Sequence, residues 1–123
     1  MKQGRFVFLV VVLVLWPISA IAEDLYIAQT AAGVDSGADC ANAHSATWFN
    51  TVGNWGVGAD KISAGDTAHL CGTFTGSAGG NMLTTQGNGS VGSPITILFE
   101  TDAILTAPYW SANDGTNPTT GAI

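Results

Sequence analysis

The stretch GDTAHLCGTFTG at residues 65–76 decides how this chain folds. If it is extended, Ala68 and Leu70 face one side of a sheet and His69 faces the other, because side chains alternate along a strand. No helical pattern follows it. Four short runs from here on have strand character, and turns rich in Gly and Asn separate them: 67–74, 82–86, 94–100 and 103–107. The second half of the chain is therefore predicted to be all-β.

Two architectures accommodate several short strands joined by glycine-rich turns. One is a sandwich or barrel, and the other is a solenoid in which each coil stacks on the one before. Sandwiches are usually built from hairpins with turns of about two to five residues, and the seven-residue connection at 87–93 is less suited to that. A solenoid needs a cap over its first coil. The pattern leaves both architectures open and favours the solenoid.

The preceding segment, residues 23–64, is suited to be such a cap. A strand is predicted at 25–29 and a helix at 40–51, for which Asp39 or Ser36 could serve as the N-cap. Glycines follow the predicted helix and end it. Helical spacing places a stripe of small and aromatic side chains on its inner side: Cys40, Ala43, Thr47 and Trp48.

Three segments resemble the right-handed parallel β-helix proteins of the pectin lyase-like superfamily. CANAHSATWFN at 40–50 is similar to their N-terminal cap, and the stretch at 65–76 is similar to their first coil. GSPITILF at 92–99 is similar to the run that often follows in these proteins. The resemblance covers about residues 25–110. It implies an architecture rather than a reaction, since the superfamily includes lyases, glycoside hydrolases, adhesins and proteins without known activity.

The implied fold is all-β: an N-terminal cap with a short helix at 23–64, followed by the first coils of a parallel β-helix at 65–123. Coils of this fold take about 20–25 residues, and solenoids generally need at least about three repeats. Residues 65–123 hold little more than two such coils, so we expect the front of a longer protein or a truncated reading frame. An open apolar end of this kind should self-associate. Three apolar side chains are predicted to face the interior: Ile95, Ile97 and Phe99.

The first 22 residues have the pattern of a secretory signal peptide. Lys2 and Arg5 precede an apolar run at 6–16, and Ala20-Ile21-Ala22 precedes Glu23. The run is too short for a membrane span of about 20 residues. We therefore predict cleavage between Ala22 and Glu23 and a secreted product, extracellular or periplasmic.

The charge balance restricts the partners. The 123 residues suit a single domain, and removal of the signal leaves Lys61 as the only Lys or Arg against nine acidic residues. So few basic residues do not form a groove that binds phosphates, which excludes nucleic acid as the main ligand. An anionic substrate would not be attracted without the help of a cation.

Export determines how the two cysteines are interpreted. In an oxidising compartment Cys40 and Cys71 are most simply a disulfide. The alternative is a Cys2His2 metal site, because His44 lies four residues after Cys40 and His69 lies two before Cys71. Neither spacing is a common zinc signature, which favours the disulfide.

Acidic pairs give two further candidate sites. Glu100 and Asp102 would share a face in a continuing strand and could bind Ca²⁺ or transfer protons, although a solvated acidic turn is the simpler interpretation. Asp35 and Asp39 bracket a short loop that could hold Ca²⁺, but the EF-hand pattern is absent and a helix cap is favoured.

Aromatic residues are candidates for stacking on sugar rings. Tyr109 and Trp110 follow Pro108 in a stretch rich in Gly, Asn and Pro, which favours exposure. Trp48 and Phe49 are predicted to be buried in the cap instead.

No catalytic residue is identified. Lyases of the resembling superfamily generally use Arg or Lys as a base with Ca²⁺, and its hydrolases use Asp clusters, whereas Lys61 matches no such motif. The residues imply no cofactor, and the resemblance leaves Ca²⁺ open for the full-length protein. The resemblance implies that the complete protein acts on or binds polysaccharide, as a lyase or hydrolase. The alternatives are a non-enzymatic extracellular β-helix for binding or adhesion, and an inactive fragment.

Overall fold

The computed structural model describes residues 21–108, where strands outnumber helices. There are one short α-helix, α1, at Ala46–Phe49 and two single 3₁₀ turns at Cys40–Asn42 and Val52–Asn54. None of these helices is long and apolar enough to cross a membrane. The strands are β1 Asp24–Ala28, β2 His44–Ser45, β3 Thr67–Cys71, β4 Thr73–Thr75, β5 Thr96–Phe99 and β6 Ile104–Thr106.

All the paired strands of the two sheets are parallel. The larger sheet has the order β2-β1-β3-β5, and the smaller one pairs β4 with β6. The chain leaves β3 at Gly72, whose φ of +70° suits glycine, and enters β4 in the second sheet. It then repeats the same passage from β5 to β6, through a turn in which the Ala103 N–H donates to the Glu100 carbonyl. The prediction of an all-β second half is confirmed for residues 65–108, and the sheets there are parallel.

The core lies under the larger sheet, where residues of neighbouring strands form ladders. Leu25 of β1 is aligned with Ala68 of β3 and Ile27 with Leu70, and all four side chains are buried. Ile97 continues the first ladder in β5. Burial of such apolar side chains is the main force that holds the parallel strands in this register.

The prediction of one helix over residues 40–51 is wrong. Asp39 accepts a hydrogen bond from the Asn42 N–H and limits the first turn to Cys40–Asn42. Ser45 then accepts from the Trp48 N–H at 3.0 Å and starts α1 as a separate helix. Side chains that bond to nearby backbone groups compete with a continuous helix, and two of them interrupt it here.

The predicted strand at 82–86 is absent. Met82 and Leu83 are buried, as their apolar side chains predict. The backbone of this segment, however, forms hydrogen bonds with a side chain and not with a neighbouring strand. The Asn50 amide donates to the Met82 carbonyl at 2.9 Å and accepts from the Thr84 N–H at 2.7 Å. One carboxamide thus satisfies backbone groups that a sheet would otherwise bind.

The spacing between equivalent strands is longer than the 20–25 residues expected from the resemblance. Thr67 is aligned with Thr96, 29 residues later, and Thr73 with Ile104, 31 residues later. The excess lies in the loop between β4 and β5, where the Asn50 contacts replace the predicted strand.

The edge formed by β5 and β6 carries exposed apolar side chains. Neither strand has a second neighbour within residues 21–108. Leu98, Phe99 and Ile104 are 45%, 44% and 56% exposed. Phe99 thus lies at the rim, whereas Ile95 and Ile97 pack against the core as predicted.

Candidate functional site

A disulfide joins the cap segment to the larger sheet. Cys40 opens the first 3₁₀ turn and Cys71 ends β3, and their Cα atoms are 5.7 Å apart, as a disulfide requires. The predicted pairing is confirmed. Both sulfur atoms are used, so neither is available for the alternative Cys2His2 site.

A cluster of titratable side chains crosses the outer face of the same sheet. His69 of β3 donates from Nδ1 to Glu100 Oε1 at 2.6 Å, and its Nε2 lies 3.3 Å from Asp24 Oδ1. The Tyr26 ring stacks on the imidazole with centroids 4.4 Å apart. Both ring nitrogens of His69 therefore contact carboxylates. These contacts join β1, β3 and the end of β5, and the three side chains of His69, Glu100 and Asp24 are called the clasp below.

The clasp favours the protonated imidazole. Burial alone would lower the pKa of His69, but the hydrogen bonds and charges of Glu100 and Asp24 outweigh it and the net pKa is raised from 6.5. Only the imidazolium can donate to both carboxylates at once. The contact with Asp24 is the longer one and lies at a more exposed carboxylate, so it is the one that deprotonation should release.

We expect this clasp to make stability depend on pH. A raised pKa in the folded state stabilises the protein fully below the unfolded value of 6.5, and this contribution is lost as pH rises through the folded pKa. The melting temperature of the native protein should therefore fall relative to that of a His69→Gln variant as pH increases above 6.5. Melting curves from pH 5 to pH 9 measure the difference. Titrating groups that do not contact His69 cancel between the two proteins, and a difference that stays constant above pH 6.5 contradicts the prediction.

A second histidine lies inside the cap. His44 of β2 is 5% exposed, is bonded through Nδ1 to Asp35 Oδ1 at 2.9 Å and stacks on Trp48 with centroids 4.0 Å apart. Its Nε2 has no hydrogen-bond partner among residues 21–108. A Cβ at Gly37 would lie 2.7 Å from that nitrogen, so the backbone of Gly37 closes the space beside it. The close approach of Gly37 and the stacked Trp48 ring pack the imidazole into the cap.

A cavity of about 250 Å³ opens beside the end of β4. Its floor is apolar, formed by Ala46, Phe74 and Met82. A Cβ at Gly76 would lie 2.5 Å from Met82 Cγ, so the wall can approach this closely only at a glycine. Six uncharged polar residues line the remainder: Gln29, Thr47, Asn50, Thr75, Ser77 and Asn81.

Two carboxamides hold the walls of this cavity in place. Gln29 Oε1 accepts from the Thr75 N–H at 2.7 Å, which leaves the Nε2 donors of Gln29 unused by the described residues. Asn50 joins α1 to the loop at 82–84 through both of its amide atoms. The side chain of Asn81 has no hydrogen bond within residues 21–108. The described lining of the cavity thus offers uncharged donors and acceptors, and hydrogen bonds hold the walls formed by Gln29 and Asn50 in place.

The other acidic candidates of the sequence do not form the paired sites that were predicted for them. Glu100 and Asp102 do not lie on one continuing strand, because β5 ends at Phe99 and a turn follows. Asp39 caps the first 3₁₀ turn as predicted, and Asp35 binds His44. Among residues 21–108, no three His, Cys, Asp or Glu side chains are grouped so that they could hold a metal ion.

The aromatic candidates divide into two groups. Phe49 is fully buried and its ring meets Trp55 edge-on, and Trp48 is half-buried against His44. Tyr109 and Trp110 lie outside the described residues, so their predicted role in stacking on sugars stays a prediction.

Sequence reasoning missed the partners of His69 and the cavity. Glu100 and Asp24 are 31 and 45 residues from His69, and only the register of three parallel strands brings them together.

In comparisons with known proteins, the chain matches no family model, no curated protein and no solved structure.

Proposed function

We propose that residues 23–108 are the N-terminal cap and first two coils of a secreted right-handed parallel β-helix protein that binds polysaccharide. The observation that carries the fold is the repeated passage between two parallel sheets, from β3 to β4 and again from β5 to β6. A sandwich built from hairpins would pair consecutive strands antiparallel. Stacked coils instead pair each strand with its equivalent one coil later, as these sheets do.

The cap role is supported by the position of β1 and β2. They extend the larger sheet beyond β3 and so cover the edge that a first coil would otherwise expose. The disulfide fixes the same segment to the end of β3.

The opposite edge is suited to accept a further coil. β5 and β6 present unpaired backbone on that side within the described residues, and Leu98, Phe99 and Ile104 would become buried when another coil stacks there. A second molecule could cover the same edge, as predicted from the sequence.

Saccharide binding is supported by the cavity beside β4. A ligand pocket for a drug-sized molecule usually has about 300–1,000 Å³, and this one has about 250 Å³, which suits one sugar ring or the end of a chain. Its carboxamides and hydroxyls match the donors and acceptors of sugar hydroxyls. The cavity has no cation to attract a uronate, so we infer a neutral sugar.

Binding is the function that these residues support, because the described lining of the cavity has hydroxyls but no carboxylate, imidazole or amine that could act as a general acid or base or activate a nucleophile. A lyase or hydrolase site of the complete protein would use residues outside 21–108. The alternative, a non-enzymatic extracellular β-helix for adhesion, has the same binding surface and differs only in that activity.

We expect Asn81→Ala to weaken binding of a neutral oligosaccharide by about tenfold, since each neutral hydrogen bond contributes about 0.5–1.5 kcal/mol. This variant loses no hydrogen bond in the described part of the chain, so folding should be unaffected. Gln29→Glu should act similarly, because it keeps the acceptor for the Thr75 N–H but removes two donors. Titration calorimetry with neutral and uronate oligosaccharides measures both variants.

Asn88→Ala is the matched control, because it removes an exposed carboxamide on another loop. Equal weakening by Asn88→Ala would place the binding elsewhere. If no neutral oligosaccharide binds to the secreted protein, the proposal for this cavity is wrong, whereas the proposed fold is decided separately by the stacking of the coils.

A further inference from the structure

A buried carboxylate lies at the start of β3 without a cationic partner. Asp66 is 3% exposed, and its two oxygens accept backbone hydrogen bonds from Glu23 at 2.8 Å and Ser63 at 2.6 Å. None of the ion pairs in the described part of the chain includes Asp66. A buried charge is costly unless it is paired and hydrogen-bonded, and within the described residues Asp66 has backbone donors but no counter-charge.

The backbone nitrogen that Asp66 binds is the one that signal cleavage would free. The pattern at Ala20-Ile21-Ala22 predicts cleavage before Glu23, independently of any contact in the fold. Ile21 is 90% exposed and Ala22 is also exposed, outside the strands. Cleavage would convert the Glu23 peptide nitrogen into an α-ammonium, which is mostly protonated at pH 7 because its usual pKa is about 7.7–8.0.

The local geometry holds this nitrogen in place. The Glu23 carbonyl accepts from the Thr67 N–H at 3.0 Å, so hydrogen bonds fix Glu23 on both sides of its Cα atom. A cavity of about 300 Å³ adjoins Glu23 and Asp66, and Ile21 forms part of its lining. The new terminus therefore has space for its additional protons without moving away from Asp66.

We propose that removal of residues 1–22 completes the fold, because the α-ammonium of Glu23 forms an ion pair with the buried carboxylate of Asp66. Peptide hydrolysis after Ala22 adds one water, leaves the carboxylate on Ala22 and frees the amine of Glu23, which takes up a proton. The pair anchors the first residue of the mature chain, and with it β1, beside β3. Before cleavage the Glu23 N–H is an uncharged donor to this carboxylate. Cleavage places a positive charge on the same nitrogen, so Coulomb attraction is added to the hydrogen bond and the contact strengthens.

The test compares two products of defined N terminus, one beginning at Glu23 and one at Ile21. Their net charges are equal, but the second carries its ammonium two residues away, about 7 Å along an extended chain. We expect the product that begins at Glu23 to melt at least about 4 °C higher, which corresponds to about 1 kcal/mol for a chain of this size. Asp66→Asn should remove this difference. Equal melting temperatures, or a difference that persists in Asp66→Asn, would overturn the proposal.

A second measurement covers the case in which Asp66→Asn does not fold. The α-amine is labelled with an acylating ester at pH 7, with the single lysine of the product, Lys61, as internal reference. In the folded protein that begins at Glu23 we expect labelling at least tenfold slower than in the one that begins at Ile21, and in denaturant we expect equal rates. Equal rates in the folded proteins would overturn the ion pair.

The inference rests on the proposed secretion only for the position of the cut. The N-terminal mass of the exported protein tests that position. Cleavage elsewhere would refute the processing step, whereas the comparison of the two defined termini decides separately whether the ammonium and Asp66 interact.

Discussion

Replacement of Phe49 by alanine is expected to destabilise the protein by about 3–5 kcal/mol. Phe49 is fully buried where α1 meets the core, and its ring contacts Trp55 edge-on with centroids 4.9 Å apart. The variant loses the buried ring, the aromatic pair and the close packing around them. A domain of this size has only about 5–15 kcal/mol of stability in total. The loss should therefore be visible in urea denaturation as a much lower midpoint with an unchanged slope.

Val52→Ala is the matched control. Val52 lies three residues further along the cap but is 67% exposed, so its truncation should change the free energy of unfolding by less than about 0.5 kcal/mol. If Phe49→Ala is as mild as this control, the cap does not share the core of the sheet.

The second large effect is expected from the disulfide. Removal of both cysteines, by Cys40→Ala and Cys71→Ala together, opens a loop closed over 31 residues. The chain-entropy estimate for such a loop is about 3.5–4 kcal/mol. With about 4 °C or more per kcal/mol for a chain of this size, the melting temperature should fall by about 15 °C or more.

Reduction of the native protein provides the control for this experiment. It breaks the same bond without a change in sequence, so the reduced native protein and the double variant should melt at similar temperatures. A double variant as stable as the oxidised protein would mean that β1 and β2 hold the cap without the covalent link.

The clasp and the buried carboxylate illustrate where prediction from the sequence fails. The alternation in 65–76 correctly places Ala68 and Leu70 inside and His69 on the outer face. Nothing near His69 in the chain indicates that Glu100 will bind it, because that contact depends on which residue of β5 lies beside which residue of β3. Asp66 similarly looks like an ordinary turn residue until the pairing of β1 with β3 brings Glu23 to it.

The errors in local structure have the same origin. The run at 82–86 has strand character and is buried in part, but it binds Asn50 rather than a neighbouring strand. The segment at 40–51 has helical spacing, but Ser45 caps a new helix within it and His44 pairs with Ile27 of β1. Local propensity is a weak preference that tertiary contacts override.

The amino-acid sequence by itself determined the features that depend on neighbouring residues or on simple counts. These are three of the four short strands predicted after residue 65, the cysteine pair and the acidic balance, whereas the signal at 1–22 stays a prediction. Only the tertiary structure decided the parallel register, and with it the contacts of His69, the partner of Asp66 and the cavity beside β4. The physical reason is that the paired strands join residues 17 or more positions apart, and their alignment follows from how the buried ladders pack rather than from any local pattern.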